Sequence, residues 1–314
     1  MARKWTAADV PDQSGRTAVV TGANCGIGFE IARVLARSGA HVVLACRNTA
    51  KAAQAADRIR AGFPAARLSV VRLDLTSLAC VRTAAEEIRR SHPQLDLLIN
   101  NAGVMELPYE ITEDGFELTF ATNHLGHFAL TGLLLDRLLA TAGSRIVTMS
   151  SQGHHDGVMN FDDLQSERGY EGLDAYHQSK LANLLFTYEL DRRLRTAGAT
   201  TTALASYPGL VYTDLFRTRS RLNKALLSPR LQPINFWFTQ DALMGALPAL
   251  RAGTDPAAAG GTFYGPRGRF DKGYPAVVES SPRSHEVADQ ARLWSVSEQL
   301  TGVAYRFAEP SVLP

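Results

Sequence analysis

The chain has 314 residues, of which 45% are hydrophobic and 20% charged, an ordinary globular composition with enough apolar residues for a large core. Its net charge of +2, with arginine spread along the chain and not gathered in a block, argues against a nucleic-acid partner. No run approaches the ~18 apolar residues of a transmembrane segment.

The N-terminal stretch MARKWTAADVPDQSGR lacks the apolar core of a signal peptide. The three cysteines, Cys25, Cys46 and Cys80, are an odd count without metal-ligand spacing. Reduced thiols in a cytoplasmic protein are the expectation. From there the chain alternates. TAVVT (17–21) reads as a strand and 27–39 as a helix; HVVLAC (41–46) as a strand and 50–62 as a helix. LSVVRLDL (68–75) is a strand followed by a helix over 78–90, and LDLLIN (95–100) a strand followed by a helix over 115–141. RIVTMSS (145–151) is a fifth strand. A polar, Gly-rich segment over 152–173 interrupts the rhythm, which resumes with a helix over 175–196 and a strand at TTALASY (201–207).

Near-continuous apolar strands separated by helices predict a parallel sheet covered on both faces. With right-handed crossovers this is an α/β, doubly wound, Rossmann-type sheet of about seven strands. No linker or repeat divides it, so 1–314 reads as a single domain. Residues 17–213 would form the core, and 214–314 the substrate-side lid and C-terminal elements.

TGANCGIG (21–28) joins the first strand to the first helix. Gly22 lets the chain turn at the strand end. Gly26 and Gly28 let backbone and helix approach a pyrophosphate, which the helix N-terminus then faces with its N–H groups. The spacing is G-x-x-x-G-x-G and not G-x-G-x-x-G, so its place between strand and helix carries more weight than the pattern. A structural turn is the plainer alternative. Asn24, Cys25 and Ile27 fill the loop. At the end of the second strand, where a carboxylate would accept ribose hydroxyls, stand Cys46, Arg47 and Asn48. No carboxylate repels a 2′-phosphate there, and a guanidinium binds one with two parallel hydrogen bonds. This favours NADP(H) over NAD(H); a merely solvated Arg47 is the bland alternative. Asp74 and Leu75 would sit beside the adenine.

Tyr176 and Lys180 are four apart in AYHQSKLAN (175–183) and share a helix face. Alone, that pairing is common. Taken with TGANCGIG, Asp74-Leu75, NNAG (100–103), Asn123, Ser151 and PGLVYT (208–213), in that order, the chain resembles a classical short-chain dehydrogenase/reductase over 17 to about 213. LACRN (44–48), TNHLGHFALT (122–131), FDDLQSE (161–167) and YHQSKLANLLFTYEL (176–190) resemble the retinol dehydrogenase and WW-domain oxidoreductase group more closely.

The resemblance implies an oxidoreductase that interconverts an alcohol and a carbonyl on a small, lipophilic molecule. Tyr176 would be the general acid/base. Free tyrosine, with a pKa of about 10, needs a neighbouring ammonium to ionise near neutrality, and Lys180 supplies one. By alignment the serine is Ser151 and not Ser150, set back from Tyr176 by the 152–173 insertion; it would polarise the carbonyl. Tyr176 and Lys180 would also contact the cofactor, Lys180 at the nicotinamide ribose, and Asn123 would hold a water leading to Lys180. Asn101, Ala102 and Gly103 would bound the adenine ribose, while Pro208, Gly209, Val211 and Thr213 would lie at the nicotinamide end. Classical relatives pair as homodimers or homotetramers through helices that here span 113–141 and 174–196; a monomer follows if C-terminal elements cover that face.

A dinucleotide-binding sensor or scaffold without catalysis would usually have lost the Tyr, Lys or Ser, all present here. A sugar-nucleotide epimerase or dehydratase usually carries G-x-x-G-x-x-G. His124 and His127 form H-x-x-H without a third metal ligand, so packing around Asn123 is favoured. His154-His155 reads as a polar loop, and Cys25 as a small loop residue. The basic, apolar run 222–238 reads as a substrate lid; Pro229 and Pro233 weaken an interfacial membrane helix there.

Overall fold

Strands that are apolar on both sides are satisfied only inside a sheet covered on both faces, and the chain builds one. A computed structural model describes residues 4–211, 241–268 and 271–307. The strands are β1 (Thr17–Thr21), β2 (His41–Cys46), β3 (Arg67–Arg72), β4 (Leu97–Asn100), β5 (Arg145–Met149), β6 (Thr202–Ser206), β7 (Phe263–Pro266) and β8 (Pro275–Val277). They form one sheet in the order β3-β2-β1-β4-β5-β6-β7-β8. The first seven run parallel. The eighth, one more than expected, pairs antiparallel with β7. Pro266 faces Pro275 in that pair, and neither can donate a ladder hydrogen bond, which suits a sheet edge.

The helices are α1 (Gly26–Arg37), α2 (Thr49–Gly62), α3 (Leu78–Ser91), the short α4 (Leu118–Phe120), α5 (Gly126–Leu139), α6 (Gly172–Thr196), α7 (Ala242–Thr254) and α8 (Val287–Thr301). Alternate strand residues point to opposite faces. Val20, Val42, Leu44, Ile99 and Val147 pack with Ile31 and Leu35 of α1 and Leu247 and Leu250 of α7. Val19, Val43, Leu98 and Ile146 pack on the other side with Val81 of α3, Leu134 of α5 and Leu190 of α6. β1 lies between β2 and β4, so the chain leaves it toward both sheet halves. A ligand crevice forms at such a switch point, outside the carboxyl ends of the strands.

Two features depart from regular expectation. The predicted helix over 115–141 begins only at Leu118, where the Glu117 carboxylate accepts N–H bonds from Thr119 (2.7 Å) and Phe120 (2.6 Å). It then passes through a π-turn, Ala121–Leu125, before entering α5. Such wide turns recur at functional sites, and this one carries Asn123. Second, α8 and the residues after it cover the outer face of α5 and α6. Trp294 meets Phe128 (5.4 Å), Phe186 (6.0 Å) and Tyr305 (4.5 Å). The Tyr305 hydroxyl donates to the Phe128 carbonyl at 2.7 Å. The expected lid over 222–238 lies outside the described residues, as does Thr213.

Candidate active site

The loop between β1 and α1 forms one wall of a cleft of about 580 Å³. Gly22 takes φ +67°, a left-handed conformation that glycine adopts without penalty. Gly28 lies so close beneath that a Cβ there would stand 2.4 Å from the Gly22 carbonyl oxygen and 2.5 Å from Asn101 Nδ2. Asn24, Cys25, Gly26 and Ile27 complete this wall, and the start of α1 is not capped by the Cys25 side chain. The cradle therefore presents helix N–H groups to an anion, the shape a pyrophosphate needs. We expect Gly28→Ala to cost roughly 1–3 kcal/mol, since backbone must move; urea unfolding of the variant beside wild type measures it.

Arg47 and Asn48, after β2, also line the cleft. Asn48 caps α2 by accepting from the Lys51 N–H at 2.9 Å. Lys51, which the sequence reading did not single out, lines the same cleft beside exposed Arg47. Its position one turn into a capped helix is the signal that was available. Cys46 is buried beneath, its thiol pushed up to about 11 by burial. The backbone N–H groups of Ala23 and Asn24, directed at the thiol, pull the other way. Asp74 and Leu75 also line the cleft; the Asp74 carboxylate accepts from Thr76 Oγ1 at 2.7 Å and shapes its own turn.

Thr21 organises the end of β4. Its hydroxyl oxygen accepts N–H bonds from Asn101 and Ala102, both 2.9 Å, and its carbonyl accepts from Asn101 Nδ2 at 2.8 Å. Gly103 follows. A Cβ there would lie 3.1 Å from Asn123 Oδ1 and 3.3 Å from Lys180 Nζ, so these two groups converge over its backbone. Asn123 donates to the Val104 carbonyl (2.9 Å) and Ser179 Oγ (2.9 Å) and accepts from the Val104 N–H (2.8 Å).

Tyr176 and Lys180 lie on α6, both buried. Lys180 Nζ sits 5.6 Å from the Tyr176 ring centroid and donates to the Met149 carbonyl at 3.4 Å. Ser151 ends the segment after β5, with its side chain against the Tyr176 phenol. Ser150 turns away and donates to the Lys180 carbonyl at 2.8 Å. One expectation is corrected here. Burial pushes the Tyr176 phenol up, and only the Ser151 hydroxyl pulls it down; the chain's own groups do not bring it below its usual value. The cause is shared: burial also moves Lys180 down, to about 8.

At the far end, Gly209 takes φ +72° and Val211 is buried, with Pro208 and Val211 packed near Gly245 of α7. The histidines are structural. His127 Nδ1 donates to the Asn123 carbonyl (3.1 Å), which leaves Nε2 to accept from the Thr21 hydroxyl (2.9 Å). His124 Nε2 meets Ser297 Oγ at 2.9 Å. His154 is fully buried, not the polar loop residue expected. Among the described residues no group of three His, Cys, Asp or Glu could hold a metal ion.

Comparison with known proteins matches this geometry. The sequence model of the short chain dehydrogenase family covers residues 16–223. Human retinol dehydrogenase 12 is 42% identical over 291 residues, 93% of this chain and 88% of that protein. Human retinol dehydrogenase 13 is 41% identical over 303 residues, 96% of this chain and 88% of that protein. Among solved structures, an uncharacterized protein from Mycobacterium paratuberculosis superposes with a TM-score of 0.80 at 42% identity, covering 97% of this chain and 100% of that one. The NADP complex of Pseudomonas aeruginosa RhlG has a TM-score of 0.62 at 25% identity, covering 80% of this chain and 94% of that one. The chain belongs to the short-chain dehydrogenase family, similar over most of its length to retinol dehydrogenases, and is an NAD(P)-dependent oxidoreductase that interconverts alcohols and carbonyls.

Proposed function

We propose that the chain is an NADP(H)-dependent reductase/dehydrogenase of a lipophilic aldehyde, ketone or alcohol, with Tyr176 as its general acid/base. The observation that carries this is the convergence of Ser151 on the buried Tyr176 phenol, with Lys180 one helical turn away and the dinucleotide cradle adjoining. When bound, the nicotinamide supplies hydride to or takes it from the reacting carbon. Ser151 donates a hydrogen bond to the substrate oxygen and polarises it. Tyr176 gives that oxygen its proton in reduction and removes it in oxidation. A phenol raised by burial keeps its proton at neutral pH, so the reducing direction starts from a loaded acid. The Lys180 ammonium offsets the charge left on the phenolate. Asn123 fixes the Val104 backbone and hence the floor on which Lys180 rests.

Arg47 and Lys51 support the NADP(H) preference: two cations and the N-terminus of α2 line the cleft next to the end of β2, where Cys46 stands and not a carboxylate. The NADP in the RhlG complex is consistent with it. We expect the double variant Arg47→Ala/Lys51→Ala to raise KM for NADPH by roughly 10–100-fold, the worth of one or two charge-assisted hydrogen bonds, with little change for NADH. Initial rates with each nucleotide test this, and an equal change in both would defeat the assignment. Beyond Gly103 the cleft is lined by Val104, Met105, Leu107 and Leu118, which favours a lipophilic substrate, as the retinol dehydrogenase relatives do. The covered face of α5 and α6 favours a chain that does not pair through those helices. A cytoplasmic location is part of the proposal, supported by the free thiols of Cys25, Cys46 and Cys80. Among the described residues no helix is long and apolar enough to cross a membrane.

A further inference from the structure

Two tethers reach from the C-terminal part of the chain to the turn that carries Ser151. Ser151 caps the short 3-10 turn Gln152–His155, its Oγ accepting the Gly153 N–H at 3.2 Å. From this turn Gln152 Nε2 donates to Asp271 Oδ1 (2.8 Å) and to the Tyr207 hydroxyl (3.2 Å). Tyr207, the residue before Pro208-Gly209, itself donates to Asp271 Oδ1 at 3.5 Å. One carboxylate oxygen thus joins the Ser151 turn to the segment after β6. The second tether is His154. Its Nδ1 donates to the Ser151 carbonyl at 2.6 Å and its Nε2 accepts the Ser281 N–H at 3.0 Å.

Both partners are held. A Cβ on Gly265 would lie 1.9 Å from the Tyr207 ring, so that ring rests directly on the β7 backbone. Asp271 takes φ +52°, the left-handed region that a non-glycine residue occupies at a cost. Its contacts with Gln152 and Tyr207 offset that cost. The backbone strain and the three-way hydrogen bonding fall on the same residue, remote in sequence from every motif of the family.

We propose that Asp271 is a positioning residue: its carboxylate fixes Gln152 and Tyr207, and so sets the Ser151 hydroxyl against Tyr176. The proposal rests on the catalytic role given to Ser151 above. Without the carboxylate the Gln152 amide keeps only its longer bond to the Tyr207 hydroxyl, which itself loses its acceptor, and the His154 tether becomes the shorter restraint on the turn. A displacement of about 1 Å at a group that must meet the substrate oxygen costs on the order of 100-fold.

The test compares Asp271→Gly and Asp271→Asn with wild type. Glycine removes the side chain without a backbone penalty at positive φ, and asparagine keeps an acceptor and tolerates that conformation. We expect Asp271→Gly to lower kcat by about 10–100-fold while the Kd for NADPH, read by fluorescence titration, stays near the wild-type value. Asp271→Asn should recover most of kcat. A wild-type kcat in the glycine variant, an asparagine variant as poor as the glycine one, or a parallel loss of NADPH affinity would each overturn the proposal. Inactivity of wild type across a carbonyl panel would count against the proposed function instead. Positioning would then be judged from the crystal structure of Asp271→Gly: a shifted Ser151 turn supports it, and an unmoved one overturns it.

Discussion

Tyr176→Phe is expected to lower kcat/KM for carbonyl reduction by about 1,000-fold, within the range that a positioned general acid contributes. The substitution removes one oxygen and keeps the ring, so packing around this buried residue is preserved. NADPH affinity should hold, because the cradle at Gly22, Gly28 and Asn101 lies on other elements. Activity of the wild type should also carry a signature of Lys180. The ammonium is moved down to about 8 by burial, so it is charged at neutrality and loses its charge as pH rises through that value. Above it, the phenolate formed by proton transfer has no counter-charge, and reduction should fade with an apparent pKa near 8. The pH profile of single-turnover NADPH oxidation measures this, alongside the variant. A phenylalanine variant that turns over like wild type would remove Tyr176 from the chemistry.

The second large effect is acid unfolding. His124 and His127 are buried and neutral, moved down by burial to about 3 and about 4 respectively. Unfolded, each would titrate at about 6.5. A depressed folded pKa means that the unfolded chain binds protons the native chain refuses. Stability is therefore complete above pH 6.5 and falls as pH drops from there toward the folded values. Each group removes about 1.4 kcal/mol per pH unit in that window, so the pair costs roughly 4 kcal/mol by pH 5. His154, also moved down by burial, adds in the same direction. Against a typical total of 5–15 kcal/mol, this should lower Tm markedly by pH 5. Thermal melts between pH 5 and 8 test the expectation, and a Tm flat across that range would contradict it. The protonated form would also give His127 a donor at both ring nitrogens, and Thr21 could no longer donate to it.

The parts legible in the sequence were those where period and punctuation agree. Strands β1 and β2 lie just where the apolar runs predict, and β3 to β6 have boundaries within one to three residues of them, mostly trimmed because terminal residues already serve the loops. The motifs that line the cleft, from Gly22 through Asp74 to Gly103, come together as their positions at strand ends require. What was not legible depends on distant partners. The π-turn at Asn123 has no local signature; it is selected by the Val104 and Ser179 contacts. His154 looks like a polar loop residue because its partner, Ser281, is 127 residues away. Lys51 escaped because a helical lysine is ordinary until the cap at Asn48 turns its helix toward the cleft. The direction of the Tyr176 shift was misread because residue spacing reports a neighbouring charge but not the burial that opposes it.

The aromatic cover over α5 and α6 bears on how the chain reaches this state. Phe128 and Phe186 lie in the catalytic half, but Trp294 and Tyr305, which close over them, follow roughly a hundred or more residues later. Most of the sheet assembles from neighbouring β–α–β units, the exception being the β1–β4 pairing, which joins Ala18 to Leu97. The seam on its outer face cannot close until a far longer loop does. We expect an interval in which the sheet is built and the α5–α6 surface is still open, which a transient rise in hydrophobic-dye fluorescence during refolding would reveal. In that interval the chain is most apt to stick to another copy of itself, so the seam that protects the folded protein is also its point of greatest exposure on the way there.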